Sequence, residues 1–386
     1  MPNFVQMYKS TDLDAPVLTG QAGSMIALLN AVLVNGYTTA SLTSITRSGT
    51  TATATLAVAN STMVSGHYRT ISGAVETAYN GVFQVTVVNS TTFTYTVSGS
   101  PTTPATGTIL HRRSPLAWAS PFTGTNKAVY RSANTSSNRF FLRILETGGT
   151  AGGQKECAVW AAESMSDVDT GTNLFPTAVQ LANGVCWPKS GTADATARAW
   201  TIIGDDKAFY VIVNTGASIT TICSMGFGHV NTFKAGDGFN TFIAGQTTFN
   251  SNAAGQGLTQ SSTWGNAGNT GLYLARSYTQ TGGSTVAGLT TTGAGRTAFG
   301  GFAQLPYPHP VDNGLYVAPA YITEAITGVP VRGRLPGYYD TMHLTPLSHY
   351  DQSTGVVGLS GATLVAINIT NNGQNGQAFF DITGPW

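Results

Sequence analysis

Apolar and polar positions alternate in short runs along most of the chain, and only one stretch carries helical spacing. Met25, Ile26, Leu28, Leu29, Val32 and Leu33 fall at the period of one helix face. Gly20-Gln21-Ala22-Gly23-Ser24 precedes them, with Ser24 placed as an N-cap, and Asn35-Gly36 follows in a pair suited to a left-handed C-terminal turn. This predicts one helix packed on a sheet or on a neighbouring subunit. Beyond it the period is two. Thr43–Arg47 and Thr51–Val58 alternate on either side of Ser48-Gly49-Thr50, a hairpin signal. Tyr68–Ser72 is a third strand, Ala78-Tyr79-Asn80-Gly81 a turn, and Val82–Val88 with Phe93–Val97 a second hairpin. Phe83, Val85 and Val87, and then Phe93, Tyr95 and Val97, each line one apolar face, as a small sandwich requires.

Residues 41–110 have a composition of their own, dominated by Thr, Ser, Val and Ala, and they leave through Pro101-Thr102-Thr103-Pro104. They lie between Met25–Tyr37 and Leu116–Arg131, which read as one interrupted element. The expected organisation is therefore a segment 1–40 that belongs to the body, an inserted β-module at 41–110, and a β-rich body at 111–386. In the body, strands are expected at Phe140–Leu145, Glu156–Trp160, Trp200–Ile203, Ala208–Val213, Ile219–Phe227, Phe239–Gly245, Leu272–Ser277, Leu364–Ile369 and Phe379–Ile382. Asn250–Gly271 and Gly282–Arg296 read as long contact loops. Leu305–Tyr350 holds Pro306, Pro308, Pro310, Pro319, Pro330, Pro336 and Pro346. That density excludes a long helix and breaks central strands, so an extended segment running along a partner is expected. The fold class is all-β: an antiparallel sandwich body, a short N-terminal helix and the β-insert.

Charged residues make up 9% of the 386 positions, against about 25% in ordinary soluble domains. Such a surface repels neighbours weakly and suits close contact between subunits. The net charge is +1, and the densest basic spots are His111-Arg112-Arg113 and Arg332-Gly333-Arg334. Neither makes the broad basic face of a nucleic-acid binder. Cys157, Cys186 and Cys223 stand far apart, an odd set that argues against a disulfide framework and for reduced thiols in a cytoplasm. Met1-Pro2-Asn3-Phe4 has no basic n-region, so no signal peptide is expected. The apolar run near Met25–Val34 is too short to span a bilayer, and no membrane insertion is expected.

Candidate chemistry is sparse. Asp167, Asp169 and Gly171 form a D-x-D-x-G phrase without the further oxygens a calcium loop needs, and an Asx turn accounts for it. Asp205-Asp206 also reads as a turn. His343 and His349 stand near Asp340 and Asp351, a set able to bind a metal if the fold gathers it, though no ligand-spacing signature is met. No HExxH, GxSxG or P-loop phrase occurs, and Gly226-Phe227-Gly228 lacks a phosphate-cradle context. The 17 acidic residues allow a glycosidase pair in any fold but favour none. No catalytic residue, cofactor or metal is assigned. Trp118, Phe122, Tyr130, Phe140, Phe141, Trp160, Trp187, Trp200, Phe209 and Tyr210 read as core. Tyrosine and arginine are favoured where partners meet, so Arg332, Arg334, Tyr338 and Tyr339 are expected at or near a subunit interface.

Leu42–Ala54, Tyr79-Asn80-Gly81-Val82-Phe83-Gln84-Val85 and Thr92–Val97 resemble the small Ig-like modules found within virion proteins of tailed bacteriophages. Tyr8–Asp12, Pro121–Arg131, Met165–Gly171 and Phe233–Asp237 are similar to stretches of a group of uncharacterised phage structural proteins. Together these cover about half the chain by eye and carry no functional residues across. The resemblance implies a non-enzymatic virion protein assembled in the host cytoplasm, in the tail or baseplate. Its partners would be other virion proteins in a symmetric homo-oligomer. The alternatives are a head decoration or fibre protein, a receptor-binding tail protein touching a host-surface glycan, and a tail-borne glycan hydrolase.

Overall fold

The computed structural model describes residues 4–147, 154–216, 222–249, 270–290, 305–325, 331–343, 346–371 and 374–386. Strands dominate, and the ladders that build the fold run antiparallel, as the alternating pattern requires. The chain divides into two compact units. One comprises Tyr8–Val17 and Ala27–Leu116; the other comprises Met1–Met7, Leu18–Ile26 and Ala117–Trp386.

The smaller unit is built round one long strand, Tyr37–Ser48. Its first part pairs with Gly107–Arg113 and its second with Thr51–Leu56. The order across the sheet is Gly81–Gln84, Tyr68–Ala74, Gly107–Arg113, Tyr37–Ser48, Thr51–Leu56, Thr92–Thr96, Thr86–Asn89. Irregular register between Tyr37 and Ala40 and between Leu42 and Ser44 bends the long strand, the usual effect of a bulge. Side chains from both halves then meet in one core: Ile71 and Ile109 from one, Ala54, Phe93 and Tyr95 from the other. The unit thus closes over itself as a sandwich, and it is wider than residues 41–110. The stretch expected as one strand, Val82–Val88, is two. Gly81–Gln84 pairs with Tyr68–Ala74 and Thr86–Asn89 with Thr92–Thr96. Val85 between them is buried in the core, which is why its period-two pattern reads as continuous. The Ala78–Gly81 turn begins as a short 3-10 helix, Thr77–Tyr79. Tyr79 is fully buried, and the Asn80 side chain bonds both the N–H and the carbonyl of Ala74.

The helix is present but irregular: α over Ser24–Leu29, then π over Asn30–Asn35. Gly36, at φ 75°, closes it by donating to the Ala31 carbonyl. Met25, Leu28, Leu29, Val32 and Leu33 are buried as expected. Ser24 is not the acceptor cap: its hydroxyl donates to the carbonyls of Thr19 and Gln21. The Ile26 N–H instead finds Glu146 Oε1 at 2.7 Å, and Glu146 is paired with Lys189, both side chains fully buried. Leu116–Arg131 does not continue this element; it contains a hairpin of Trp118–Gly124 and Lys127–Ser132.

In the larger unit Lys127–Ser132 leads through Phe141–Leu145 to Glu156–Met165. That strand pairs with Val185–Pro188 by its first half and Gly171–Phe175 by its second. A second run joins Trp200–Gly204, Ala208–Asn214, Ile222–His229, Thr241–Gln246, Thr270–Leu274, Thr285–Thr290, Val317–Glu324 and Val331–Thr341. Gln374–Asp381 and Leu364–Asn371 extend it. Alternate residues of these strands, among them Tyr210, Ile212, Phe242, Leu274, Ile322, Tyr338 and Phe380, form one large core.

The proline-rich segment is corrected here. It contains two long paired strands, Val317–Glu324 and Val331–Thr341, with Pro319 and Pro336 inside them. The register passes from Pro319↔Tyr339 to Tyr321↔Arg334, so Leu335 to Tyr338 bulge out of the ladder. Pro336 sits in that bulge, beside Gly337 at φ 63°, where no ladder N–H is needed. The Gly282–Arg296 loop is also corrected over Thr285–Thr290, which is a strand; residues 291–296 lie outside the described residues. Of the Asn250–Gly271 loop, residues 250–269 lie outside them too, and Thr270 and Gly271 begin a strand. Among the described residues no helix is long and apolar enough to cross a membrane.

Candidate functional site

A cleft of about 450 Å³ opens in the larger unit, in the size range of small-molecule sites. Its floor is backbone. The turn that joins Trp200–Gly204 to Ala208–Asn214 is tied by Asp205, whose Oδ1 accepts from the N–H groups of Lys207 and Ala208 at 2.7 and 2.8 Å. Trp118 Nε1 donates to the Asp205 carbonyl, and the Ser132 hydroxyl to that of Asp206. Burial lifts the Asp205 carboxyl to about 6, against the pull of its two amide bonds. This turn presents Lys207, half-buried, with no bonded side-chain partner among the described residues.

His229 ends the next strand, and its N–H donates to the Lys207 carbonyl. Its Nε2 accepts from the Asn138 N–H at 3.1 Å and lies 3.0 Å from the Ser137 hydroxyl. Burial, with the Lys207 charge behind it, lowers the imidazole to about 4. The ring is therefore neutral near pH 7, and an acceptor at Nε2 puts its hydrogen on Nδ1. Nδ1 has no partner among the described residues.

The opposite wall is the two-residue strand Asn231–Thr232, held against Arg334 and Gly333. Only glycine fits at 333: a Cβ there would lie 2.4 Å from the Asn231 carbonyl oxygen. The Phe233 N–H donates to the Arg332 carbonyl, while the Phe233 ring is 60% exposed. Arg334 is exposed as well, with no ion pair or hydrogen bond from its guanidinium among the described residues. Trp386 is fixed by its Nε1 bond to the Asp381 carbonyl and by the Tyr210 ring 5.5 Å away. The lining thus combines two unpaired cations, one inward-tied carboxyl, a neutral imidazole and two aromatic rings.

Of the four expected interface residues, Arg334 alone is exposed. Arg332 is buried, with both ends of its fork on Asp237 at 2.5 and 2.7 Å and a further bond to Glu324. Burial would raise the Asp237 carboxyl, but the Arg332 and Thr232 bonds outweigh it and hold it below the usual range. Tyr338 is fully buried, packed on Phe380 and Tyr210. Tyr339 is buried in a second core with Leu364 and Phe379.

His343 and His349 do not gather with Asp340 and Asp351 into a metal site. Nε2 of His343 accepts from the Tyr316 N–H, and Nδ1 faces the carbonyls of Leu305 and Pro306. His349 Nδ1 accepts from the Asn368 N–H, and Asp351 from that of Ser348. Among the described residues no three His, Cys, Asp or Glu side chains form a metal cluster. Asp167 Oδ1 accepts from the N–H groups of Asp169 and Thr170 in an Asx turn, and Asp169 pairs with Lys127 and Arg143. The three cysteines are buried thiols outside any disulfide, and burial raises each thiol, Cys223 to about 12. They are poor nucleophiles in this state.

Pattern reading did not single out Lys207, His229, Phe233 or Trp386. Lys207 follows the Asp205-Asp206 pair, and that local cue marks the turn without showing what the turn faces. No protein-family model matches the chain, and no curated protein matches it.

Proposed function

We propose that this chain is a non-enzymatic structural component of a tailed phage particle, in the tail or baseplate, present in several symmetric copies. The observation that carries this reading is the place of the Tyr79-Asn80-Gly81-Val82-Phe83 phrase within the smaller unit. These residues carry the resemblance to virion Ig-like modules, and they do structural work here: Tyr79 fills the core, Asn80 clamps Ala74, and Phe83 packs on Tyr95 at 4.5 Å. Low charge, a surface rich in small polar residues and two compact β-units suit a part that stands among other subunits. Mass spectrometry of purified particles, separated into heads and tails, tests the proposal. Recovery in the tail fraction at a fixed copy number is the expected result. Recovery with heads alone moves the chain to a decoration role, and absence from purified particles overturns the reading.

A further inference from the structure

We propose that the cleft between Lys207, His229, Phe233 and Arg334 binds a carboxylate-bearing pyranose, the unit of uronic and sialic acids. This goes beyond the assembly role and does not depend on it. Four features of the lining point to that chemistry.

The first is charge. Lys207 and Arg334 both line the cleft, and neither forms an ion pair or a side-chain hydrogen bond among the described residues, although the Lys207 charge reaches the adjacent Asp205 and Asp206 carboxyls. Six other cations of this unit are paired: Lys127 and Arg143 with Asp169, Lys189 with Glu146, Arg198 with Asp194, Arg276 with Glu163, Arg332 with Asp237 and Glu324. Of those without an ion pair among the described residues, Arg131 and Lys155 lie over the rings of Phe141 and Phe249, Arg139 donates to the Ser132 carbonyl, and Lys234 is exposed. In a chain with 9% charged residues, the cleft brings two cations without ion pairs to one concavity. Asp205, the carboxyl in the lining, is already engaged by two amides of its own turn. An arginine fork matches a carboxylate with two parallel bonds.

The second is shape and apolar area. Phe233 leaves 60% of its surface in water on the rim of a polar cleft, and Trp386 lines the same space. A pyranose carries one largely C–H face that an aromatic ring covers, while its hydroxyls need donors and acceptors round the edge. Inorganic anions need no such surface.

The third is the supply of neutral polar groups. The Nδ1–H of His229 is a donor without a partner among the described residues, and Asn231 brings an amide to the wall. Both suit hydroxyl recognition. The fourth is rigidity. The turn, the His229 strand end and the Asn231–Thr232 strand are tied by main-chain bonds, so little ordering is needed on binding.

The full chain is titrated by saturation-transfer NMR and calorimetry with N-acetylneuraminic acid, galacturonic acid, galactose and inorganic phosphate. The acidic sugars are expected to bind, with galactose and phosphate at least tenfold weaker, the loss of one charged contact or of the ring contact. Arg334→Ala, Lys207→Ala and Phe233→Ala each touch exposed or half-buried side chains. Each is expected to weaken the acidic sugar about tenfold while circular dichroism stays unchanged. Equal binding of galactose overturns the carboxylate role. Phosphate binding as tight as the sugar, unmoved by Phe233→Ala, reduces the cleft to an anion spot and overturns the proposal. Absence of acidic-sugar binding to the parent chain overturns it outright.

Discussion

Asp205 shows how a single carboxyl shapes both stability and the cleft. It is 1% exposed, and its carboxyl is lifted to about 6, above the roughly 3.9 of an unfolded aspartate. The folded chain therefore holds this proton more tightly than the unfolded one, and stability falls as pH rises from about 4 to about 6. Asp205→Asn keeps an oxygen for the two amides and removes the charge. Its stability relative to the parent is expected to climb across that window, by up to about 3 kcal/mol. Urea unfolding at several pH values checks this, and a difference flat in pH would reject it. Taking the difference cancels His229, whose depressed imidazole acts in the opposite sense as pH falls. Arg332 is a second case. Removing it strands Asp237 and Glu324 in the interior, so Arg332→Ala is expected to cost about 3–5 kcal/mol. A denaturation midpoint equal to the parent's would mean the two carboxylates find water or another donor. Arg332 and Arg334 also mark the limit of residue-level reading. Two apart on a strand, they ought to share an environment. The register break between Ile322↔Gly333 and Thr323↔Val331 leaves one buried and the other exposed, and no local pattern announces that break.

Elements were legible where alternation was clean. Ala208–Asn214, Thr51–Leu56 and Leu364–Asn371 lie close to where period two puts them, and the helix lies where its apolar face does. Strands containing proline were not. Trp118–Gly124 holds Pro121, and Val331–Thr341 holds Gly333, Pro336 and Gly337. Breaker residues lower local strand preference, yet a bulge gives each a place without loss of the ladder. The cleft was illegible for a related reason: its walls come from the 205–208 turn, a strand end and a bulged strand, brought together by pairing distant in sequence. Gly333 is the residue that permits this pairing. Gly333→Ala puts a methyl against the Asn231 carbonyl and Thr232 Cα, and is expected to cost about 1–3 kcal/mol. Unfolding in urea reads the cost, and sugar titration reads the loss of the wall. Parent-like values in both would show that the short strand shifts freely.

At the scale of the molecule, the two compact units each have a core of their own. Composition alone marks the middle of the smaller one, 41–110, but not its margins, because Tyr8–Val17 joins it from earlier in the chain. Its contribution is tied by the bond from Tyr8 to the Ser114 carbonyl and the one from Tyr37 to Asp12. Phe93 is fully buried in that core, so Phe93→Ala is expected to cost about 3–5 kcal/mol. Calorimetry should show two transitions, with only one displaced by the substitution. A single transition displaced as a whole would show that the units melt together. The pairing of Tyr37 with Arg113 has a mechanical consequence. Over Ala27–Leu116, the longer of its two segments, the main chain enters and leaves the smaller unit at the same end of one antiparallel ladder. A pull on the flanking segments peels that ladder rung by rung, where a shearing geometry would load every bond at once. The bonds outside the first rung, Leu116 N–H to the Val32 carbonyl and Tyr8 to Ser114, then act as the latch. In single-molecule stretching, this unit should yield at low force, and Tyr8→Phe should lower that force further.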